Sequence, residues 1–582
     1  MTQIFARDFQ RTLDSLVEDY SGGPARYLRA WTYDDRKSRR AAEQRLAAAG
    51  IDVKLRSAYK PLLHFFLEEV DIAALKSAEI AYPVHRQAPR NRFRLEAYPL
   101  AALLPGGRIA FRERADEGLF YDVALTWTDG TVETRRVLAP NRVHHDIIGE
   151  TNLSPTGWVI TSQGDSGTRL ETDYEALFSA AMSAIAGHEW GDTEPYFEEL
   201  DIRVEFPAED EPLAHGEEAV SLREALHEDF YFSLLEVFQK KSGRPLGDRG
   251  LRPGQIVPRI LKSTGAVSVR VETRPFAATD ATEPVQYLDT AQSPLSMKQV
   301  AMELAAIGGE PFEAVSRANR TVAARHVAGA GAAMMISGGQ HANETTGVVG
   351  ALRAARRLAQ RKEAHFTVSP LENPDGYALH QRLRLDNPRH MHHAARYTAL
   401  GDDLEYRTLQ NAGDALNEKR IRFEAAERSG ALLHVNLHGY PSHEWTRPLS
   451  GYVPRNFAMW TLPKGFFLIV RHRAGWDVQA EELLDRVTRH LAGIPGLLPY
   501  NDAQIALFET HAGETGFRII NGFPCLCGAD DRHDVPLTLI TEYPDETIYG
   551  DAFVAGHTAQ METVLAAYDA LQAILAAELP SA

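Results

Sequence analysis

The first half of the chain combines strand-like and helix-like patterns of apolar positions. Residues 200–206 and 266–273 alternate between apolar and polar side chains, as half-buried strands do, whereas residues 221–241 have the periodicity of a helix. Asp129 and Gly130 separate two strand-like segments, and this dipeptide is typical of a hairpin turn because both positions tolerate a positive φ. The pattern therefore predicts an α+β N-terminal half.

From about residue 295 onward, strand-like and helix-like segments alternate. The predicted strands are residues 315–325, 332–336, 365–369, 432–437 and 535–541, and the predicted helices are residues 297–307, 346–360, 412–428, 479–491 and 559–578. Strands and helices that alternate at this spacing are typical of a layered α/β domain with a largely parallel or mixed sheet. In such a sheet the functional site lies beyond the ends of the strands.

Two stretches in which both periodicities fade are candidate domain boundaries. One is the acidic segment 207–218 and the other is the segment 274–294. A chain of 582 residues is expected to form about two to four domains. We therefore predict an α+β region of unknown role over residues 1–207, a second subdomain or connecting region over 208–294, and an α/β domain over 295–582.

The composition argues against several classes of protein. The formal net charge is −17 and no basic stripe is present, so no nucleic-acid partner is expected. No segment approaches the about 18 consecutive apolar residues of a membrane helix, and the first residues do not resemble a secretory signal. Cys525 and Cys527 are too few for a structural zinc set and too close for an unstrained disulfide. We expect a soluble cytoplasmic protein, and the sequence does not predict its oligomeric state.

Three of the predicted strands lead into side chains that can bind a metal ion or move a proton. His341 and Glu344 follow the strand at 332–336, His438 follows the next apolar strand, and Glu542 follows the last one. If the sheet is mostly parallel, these strand ends meet at one rim. Two imidazoles and one carboxylate leave a fourth position for water, which is typical of catalytic zinc, and Glu542 is then the candidate general base.

These residues occur in an order that resembles a known family. The segments are His341-Ala342-Asn343-Glu344, then Asn373-Pro374-Asp375-Gly376, then His438, then Glu542. Together they are similar to the M14 family of zinc metallocarboxypeptidases, over about residues 295–582. The resemblance implies a three-layer α/β/α domain with a mixed, mostly parallel sheet. It also implies one zinc ion per chain, bound by His341, Glu344 and His438, with Glu542 as the catalytic glutamate and the Asn-Pro-Asp-Gly segment as a structural turn.

The resemblance further implies an arginine that polarises the scissile carbonyl group. Arg389 is the first candidate, with Arg384 and Arg382 as alternatives, because a fixed guanidinium there would stabilise an oxyanion. Arg384, Arg407 and His443 are candidate substrate-binding residues. His443 is included because it follows the metal-binding histidine closely.

Other histidines and glutamates are weaker candidates. His390, His392 and His393 follow an Asn-Pro turn, and we expect a substrate-lining or merely polar loop there rather than a metal site. Glu514 and Glu546 are the alternatives for the general base.

The chain departs from the family where the substrate's terminal carboxylate would be bound. The family uses an Asn-Arg pair, but the comparable segment, residues 401–407, has no such pair, and Glu405 would repel a carboxylate. The predicted function is a zinc-dependent hydrolase of amide bonds that uses zinc-bound water and acts on a peptide or an acylated amino acid. An N-acyl amino-acid deacylase or amidase with the same site is the alternative, and a non-catalytic binding protein is less favoured.

Overall fold

The computed structural model describes residues 1–24, 26–104, 108–277, 284–455, 457–533 and 535–578. The side chains of residues 411, 412, 414, 415 and 578 are also outside the described set. Residues 278–283 of the second predicted boundary, and several side chains of the predicted helix at 412–428, therefore lie outside the described residues.

The N-terminal half consists of short strands and helices in several small sheets. Its strands are β1 (Thr2–Phe9), β2 (Tyr27–Thr32), β3 (Asp52–Ser57), β4 (Leu75–Tyr82), β5 (Ile109–Glu113), β6 (Phe120–Trp127), β7 (Val132–Leu138), β8 (Asn141–His145), β9 (Thr151–Pro155), β10 (Trp158–Ile160), β11 (Thr168–Arg169), β12 (Glu199–Phe206), β13 (Glu211–Pro212), β14 (Ala219–Val220), β15 (Gln255–Lys262) and β16 (Val267–Arg274). Its helices are α1 (Thr12–Ser21), α2 (Arg36–Ala48), α3 (Pro61–Glu69), α4 (Arg92–Glu96), α5 (Leu100–Leu103), α6 (Asp173–Ala186) and α7 (Leu222–Lys241).

The strands of this half form sheets with the orders β1–β16–β12–β15, β11–β10–β2–β3 and β5–β4–β6–β7, together with two-stranded pairs. Strands β6 and β7 are the predicted hairpin, and Gly130 in its turn has φ 87°. The predicted α+β character of the N-terminal half is confirmed.

Helix α7 is buried on nearly all sides. It begins after Ser221, whose hydroxyl accepts a hydrogen bond from the main-chain nitrogen of Glu224 at 3.0 Å. Its buried residues include the acidic side chains of Glu224, Glu228 and Asp229. Because a buried charge is costly unless it is paired, these acids need partners from the elements that pack against the helix.

The C-terminal half alternates strands and helices. Its strands are β17 (Glu310–Val315), β18 (Thr321–Val327), β19 (Met334–Gly338), β20 (Phe366–Ser369), β21 (Leu433–Tyr440), β22 (Phe467–His472), β23 (Arg518–Ile520), β24 (Phe523–Ala529) and β25 (Leu537–Pro544). Its helices are α8 (Met297–Ile307), α9 (Thr346–Leu358), α10 (Pro374–Asp386), α11 (Leu409–Ala412), α12 (Arg420–Ser429), α13 (Asp477–Leu491), α14 (Leu497–His511) and α15 (Asp551–Glu578). None of the helices in the described ranges combines the length and the apolar composition that crossing a bilayer requires.

These strands form one mixed sheet with the order β17–β18–β20–β19–β21–β25–β22–β24–β23. The central strands β20, β19, β21 and β25 are parallel, and the pairs towards both edges are mainly antiparallel. Met334 and Ile336 of β19 share a core with α9, α13 and α15, whereas Met335 shares a core with Ile421 and Ala425 of α12. The sheet therefore has helices on both faces, and the predicted mixed, three-layer architecture is confirmed.

Local boundaries differ from the prediction in several places, and helix α15, for example, begins at Asp551 rather than at residue 559. The predicted strand at 315–325 is interrupted by the hairpin turn between β17 and β18, where Asn319 has φ 62° and the main-chain nitrogen of Ser316 donates to the carbonyl of Arg320, so residues 316–320 are not strand. The predicted helix at 412–428 becomes regular only at Arg420. Strands β22, β23 and β24 and helix α14 have no predicted counterpart, because short apolar runs do not distinguish strand from helix.

A hydrophobic core joins the two halves. Val204 and Phe230 of the N-terminal half belong to the same buried cluster as Leu379, Met391 and Trp445 of the C-terminal half. The domain boundaries at residues 207 and 294 stay a prediction, but apolar packing is continuous across residue 294. This packing places α7 directly against the loops that follow α10 and β21.

Helices α9 and α15 approach closely at Gly350, and this contact generates a test. A Cβ atom at position 350 would lie 2.5 Å from Cβ of Gln560 and 3.2 Å from the main-chain nitrogen of Met561. We expect Gly350→Ala to lower the free energy of unfolding by about 1–3 kcal/mol, although alanine is the better helix former.

The matched control is Gly22→Ala, at a position with φ −101° and open space where a Cβ would be. Thermal unfolding of both variants measures the difference. A Gly350→Ala protein that is as stable as the control variant would contradict the close packing of α9 on α15.

Candidate metal centre

Three side chains that can bind a metal ion meet at the ends of the central parallel strands. His341 and Glu344 follow β19, and His438 lies near the end of β21, which pairs in parallel with β19. Their ligand atoms all lie within 4.8 Å of one another. A search of the described residues for three or more His, Cys, Asp or Glu side chains this close together finds this set. All three are buried.

The distances show how tightly the group converges. Nδ1 of His341 lies 2.8 Å from Oε1 of Glu344, and Nδ1 of His438 lies 2.9 Å from Oε2 of the same carboxylate. The two Nδ1 atoms are 3.0 Å apart. One nitrogen of each ring and both carboxylate oxygens therefore face a common point, which is the donor set that zinc accepts.

Surrounding groups fix the orientation of these side chains. Nε2 of His341 lies 3.4 Å from Oδ1 of Asp403, so a carboxylate faces the ring nitrogen that points away from the centre. The main-chain nitrogen of Gly439 donates to Oε2 of Glu344 at 3.0 Å, and Nη1 of Arg396 donates to Oε1 at 2.6 Å. A carboxylate behind a metal-binding imidazole is the usual outer partner in such sites.

The charges around the centre favour a bound cation. Burial alone would raise the pKa of Glu344, but the nearby charges of His341, Arg396 and His438 hold that pKa well below its usual range. Burial raises the pKa of Asp545 to about 8, and burial together with the charge of Glu344 raises the pKa of Glu546. Oδ1 of Asp545 and Oε1 of Glu546 have no hydrogen-bond partner among the described residues. This excess of buried acid fits a divalent cation at the centre.

Glu542 lies beside the proposed ligands. It is opposite His438 in the parallel pair β21–β25, it is 8% exposed, and it lines the cavity in front of the centre. Burial and the negative charge of Glu344 raise its pKa well above the usual range, and Arg396 and Lys464 oppose that rise. A carboxyl group with a raised pKa at a cavity wall is suited to accepting and returning a proton.

The cavity in front of the centre has a volume of about 190 Å³. Its polar wall includes Arg396 and His393, and its apolar wall is mainly aromatic, formed by Tyr406, Tyr440, Trp445, Phe457 and Trp460. The cavity is thus shaped for a small group next to a flat or apolar one.

Two of the arginines predicted for catalysis or substrate binding lie outside the cavity. The Arg389 side chain is 56% exposed, pairs with Glu217 and packs on the ring of Tyr549. Arg384 donates to Gln381 at 3.1 Å. Neither arginine is among the residues that line the cavity. Arg396, at the end of the same loop, is the arginine that the structure places beside Glu344.

The other two predicted substrate-binding residues are held in buried pairs. Arg407 pairs with Asp402 and with Glu418. His443 lies between Glu224 and Thr547, 2.6 Å and 2.9 Å from their oxygens. Neither lines the cavity.

The remaining sequence alternatives do not line the cavity. Arg382 pairs with Glu199, and Glu546 accepts a hydrogen bond from Asn343 at 2.7 Å. Glu514 is exposed. Among the glutamates considered for the general base, Glu542 is the one that lines the cavity.

The N-terminal half contributes to the cavity, which sequence reasoning did not anticipate. Oε2 of Glu228 on α7 lies 2.5 Å from Nδ1 of His393, and His393 lines the cavity together with Arg249. The His393 ring also packs edge-on against Trp445, with ring centroids 4.3 Å apart. The linear sequence carries no signal for this pairing, because Glu228 and His393 are 165 positions apart.

Comparison with known proteins gives matches to solved structures only. No protein-family model matches the chain, and no curated protein matches it. A metallo-carboxypeptidase from Burkholderia cenocepacia is 13% identical over 53% of this chain and 76% of its own, with a TM-score of 0.29. A metallo-carboxypeptidase from Pseudomonas aeruginosa, in complex with (2-guanidinoethylmercapto)succinic acid, is 16% identical over 54% of this chain and 73% of its own, with a TM-score of 0.29.

A third match is a succinylglutamate desuccinylase/aspartoacylase from Rhodobacter sphaeroides, which is 12% identical over 45% of this chain and 65% of its own, with a TM-score of 0.24. The matches thus include metallocarboxypeptidases, the family that the sequence motifs resemble, at low identity and over part of the chain. At these TM-scores, the function has to be argued from the residues of the site.

Lys464, behind the cavity, generates a prediction about pH. Its ammonium group is buried among the rings of Tyr440, Trp460, Phe467 and Phe508 and donates to the carbonyl of Met459. Burial lowers its pKa to about 7, against the opposing charge of Glu542. In an unfolded chain a lysine has a pKa of about 10.4.

Between these two values the unfolded state binds more protons, so this lysine makes the wild type more stable as the pH rises from about 7 to 10, by up to ~1.4 kcal/mol per pH unit. Lys464→Met removes that slope. The melting temperature of the wild type should therefore rise relative to that of the variant between pH 7 and pH 9. If the difference in melting temperature between the wild type and Lys464→Met stays constant with pH, Lys464 titrates as an ordinary lysine.

Proposed function

We propose that this protein is a zinc-dependent hydrolase of amide bonds. The observation that carries the proposal is the convergence of His341, Glu344 and His438, with Glu542 beside them, at one end of the parallel strands β19, β21 and β25. The Asp403 carboxylate behind His341 and the buried excess of acid support a metal ion at this point.

His341, Glu344 and His438 would hold one zinc ion per chain. When bound, the ion would supply Lewis acidity towards an amide carbonyl and would lower the pKa of water nearby. Three protein ligands leave a position open on the side of the cavity, as in catalytic rather than structural zinc sites.

Glu542 is the proposed general base. Its carboxylate would take a proton from the attacking water and return it to the amine nitrogen of the leaving group. Its position in the cavity wall, beside His438 across the β21–β25 pair, supports this role. A cation at the centre would favour the ionised form of Glu542 and so offset the effect of burial.

Arg396 is the proposed donor to the developing negative charge on the carbonyl oxygen, the role for which the family resemblance made Arg389 the first candidate. Its guanidinium lies at the cavity wall and contacts Glu344 at 2.6 Å, while its Nε has no hydrogen-bond partner among the described residues. A fixed cationic donor in a buried site is worth far more than one in water.

The proposed substrate is a peptide or an acylated amino acid. The aromatic wall of Tyr406, Tyr440, Trp445 and Trp460 can pack on an apolar or flat group, and Arg249 and His393 offer polar contacts. The pairing of His393 with Glu228 supports a positioning role for His393 against the substrate.

Metal content and turnover test the proposal together. Wild-type protein from zinc-replete medium should contain about one zinc per chain, and His438→Ala should lose it. Glu542→Gln should retain zinc but lose turnover by about 10²–10⁴-fold, because the proton acceptor is removed while the metal ligands stay. Elemental analysis and hydrolysis assays measure both.

The assays use peptides with free and with amidated C-termini and N-acyl amino acids. A preference for N-acyl amino acids would replace the peptidase assignment with a deacylase, whereas metal-free wild-type protein would reject the zinc hydrolase itself.

A second prediction separates the two arginines. Arg396→Ala should lower kcat/KM by about 10²–10³-fold, as expected for loss of a preorganised donor, and the exposed Arg389→Ala should stay close to the wild type. Zinc content is measured in both variants, because Arg396 also contacts Glu344. Loss of turnover in Arg389→Ala alone would show that the loop rearranges when substrate binds.

A further inference from the structure

A second cavity lies beside the catalytic one and is larger, with a volume of about 310 Å³. It lies between α12, the loop that precedes β25 and the segment after residue 404. The two cavities share one wall, because Glu405 lines both.

The charged side chains that line this cavity are mostly cationic. They are Arg407, Lys419, Arg422, Arg473 and Arg532 against Glu405 and Asp531, with His434 and His533 as the titratable histidines. This imbalance contrasts with the formal net charge of −17 for the whole chain. The lining of the cavity therefore contains more cationic than acidic side chains.

Part of this charge is neutralised from behind. Arg407 pairs with Asp402 and Glu418, and Arg532 pairs with Asp530. Arg422 pairs with Glu372 and with Glu405. These arginines already have carboxylate partners, so they are not the groups that would hold a ligand.

Lys419 and Arg473 differ from the other cations. Within the described part of the chain, the Arg473 guanidinium donates to the main-chain carbonyl of His533, at 2.9 and 3.3 Å. Lys419 is 7% exposed, and its ammonium group has no hydrogen bond and no ion pair within 4.0 Å to another described residue. Burial and the charge of Arg422 lower its pKa to about 8, and the nearby carboxylates of Glu405, Glu372 and Asp403 oppose that shift. These carboxylates compensate part of its charge without bonding to it directly, so a ligand in the cavity could complete its hydrogen bonds.

We propose that this cavity binds an anionic oxygen group, a carboxylate or a phosphate, with Lys419 as its central cation and Arg473 as a second donor at the rim. A compact ammonium with three donors can contact such a group directly, and an arginine at the rim can approach it from the open side.

The position of the cavity indicates where such a group could come from. Arg422 bonds to Glu405 at 3.1 Å and also to Gln340, the residue before His341. The anion would therefore lie one side chain away from the catalytic cavity. It is either an acidic group of the substrate that extends past Glu405 or a separate small anion, and both present the same chemistry to Lys419.

Binding of inorganic phosphate and of succinate to the metal-loaded protein tests the site directly. Isothermal titration calorimetry at constant ionic strength should give saturable binding to the wild type that weakens by at least tenfold in Lys419→Met. The control, Lys362→Met, removes an exposed lysine and should bind as the wild type does. Arg473→Met, at an exposed position, should weaken binding without affecting folding.

Phosphate and succinate binding that is absent, or equal in the wild type, Lys419→Met and Arg473→Met, would overturn the proposal. Melting temperatures of the variants verify that each is folded. If Lys419→Met does not fold, Arg473→Met still decides the test.

Measurements of hydrolysis rates then distinguish an anion that belongs to the substrate from a separate one. Of the experiments on this cavity, these measurements alone rest on the proposed hydrolase function. If the anion belongs to the substrate, Lys419→Met should raise KM for acidic substrates but not for neutral ones, and phosphate should compete with the acidic substrates. If the anion is separate, phosphate should change the rate without competing. The calorimetric result stands in either case, and also if no hydrolysis is found.

Discussion

The buried carboxylate of Glu344 is the interaction on which the site depends. Two imidazoles, a guanidinium and a main-chain N–H group surround it, and they come from the segment after β19, from β21 and from the loop that carries Arg396. Because a buried charge without partners is costly, the strands β19 and β21 and the loop that carries Arg396 are held in one arrangement. Gly439 also has to be small here, since a Cβ at that position would lie 2.1 Å from Oδ1 of Asp545.

The N-terminal half supports the same centre from outside. Helix α7 is buried on nearly all sides and presents Glu224 to His443 and Glu228 to His393. These contacts fix the loops after α10 and β21, which form walls of the cavity in front of the candidate metal centre. Polar pairs in a buried interface restrict the arrangement of two elements more sharply than apolar packing does, since an unpaired partner would be left behind if they moved.

The sequence predicted the parts of this site that follow from local pattern. His341, Glu344, His438 and Glu542 stand at the ends of apolar strands, and parallel strands bring such ends together. Arg396 was not predicted, because it lies on an irregular loop whose path depends on contacts with α7 rather than on any periodicity. The same limit applies to His393, whose partner is 165 positions away, and to β22, whose short apolar run has no distinguishing period.

The shared hydrophobic core has a consequence for any shortened form of the chain. Residues 295–582 contain the whole proposed metal centre, yet removing the first 294 residues would expose Met391 and Trp445 and would leave Arg447 without Glu236. We expect such a fragment to aggregate rather than fold. The first half would then be needed for the second to fold, because it covers part of the apolar surface of the second half and supplies a partner for its buried charge.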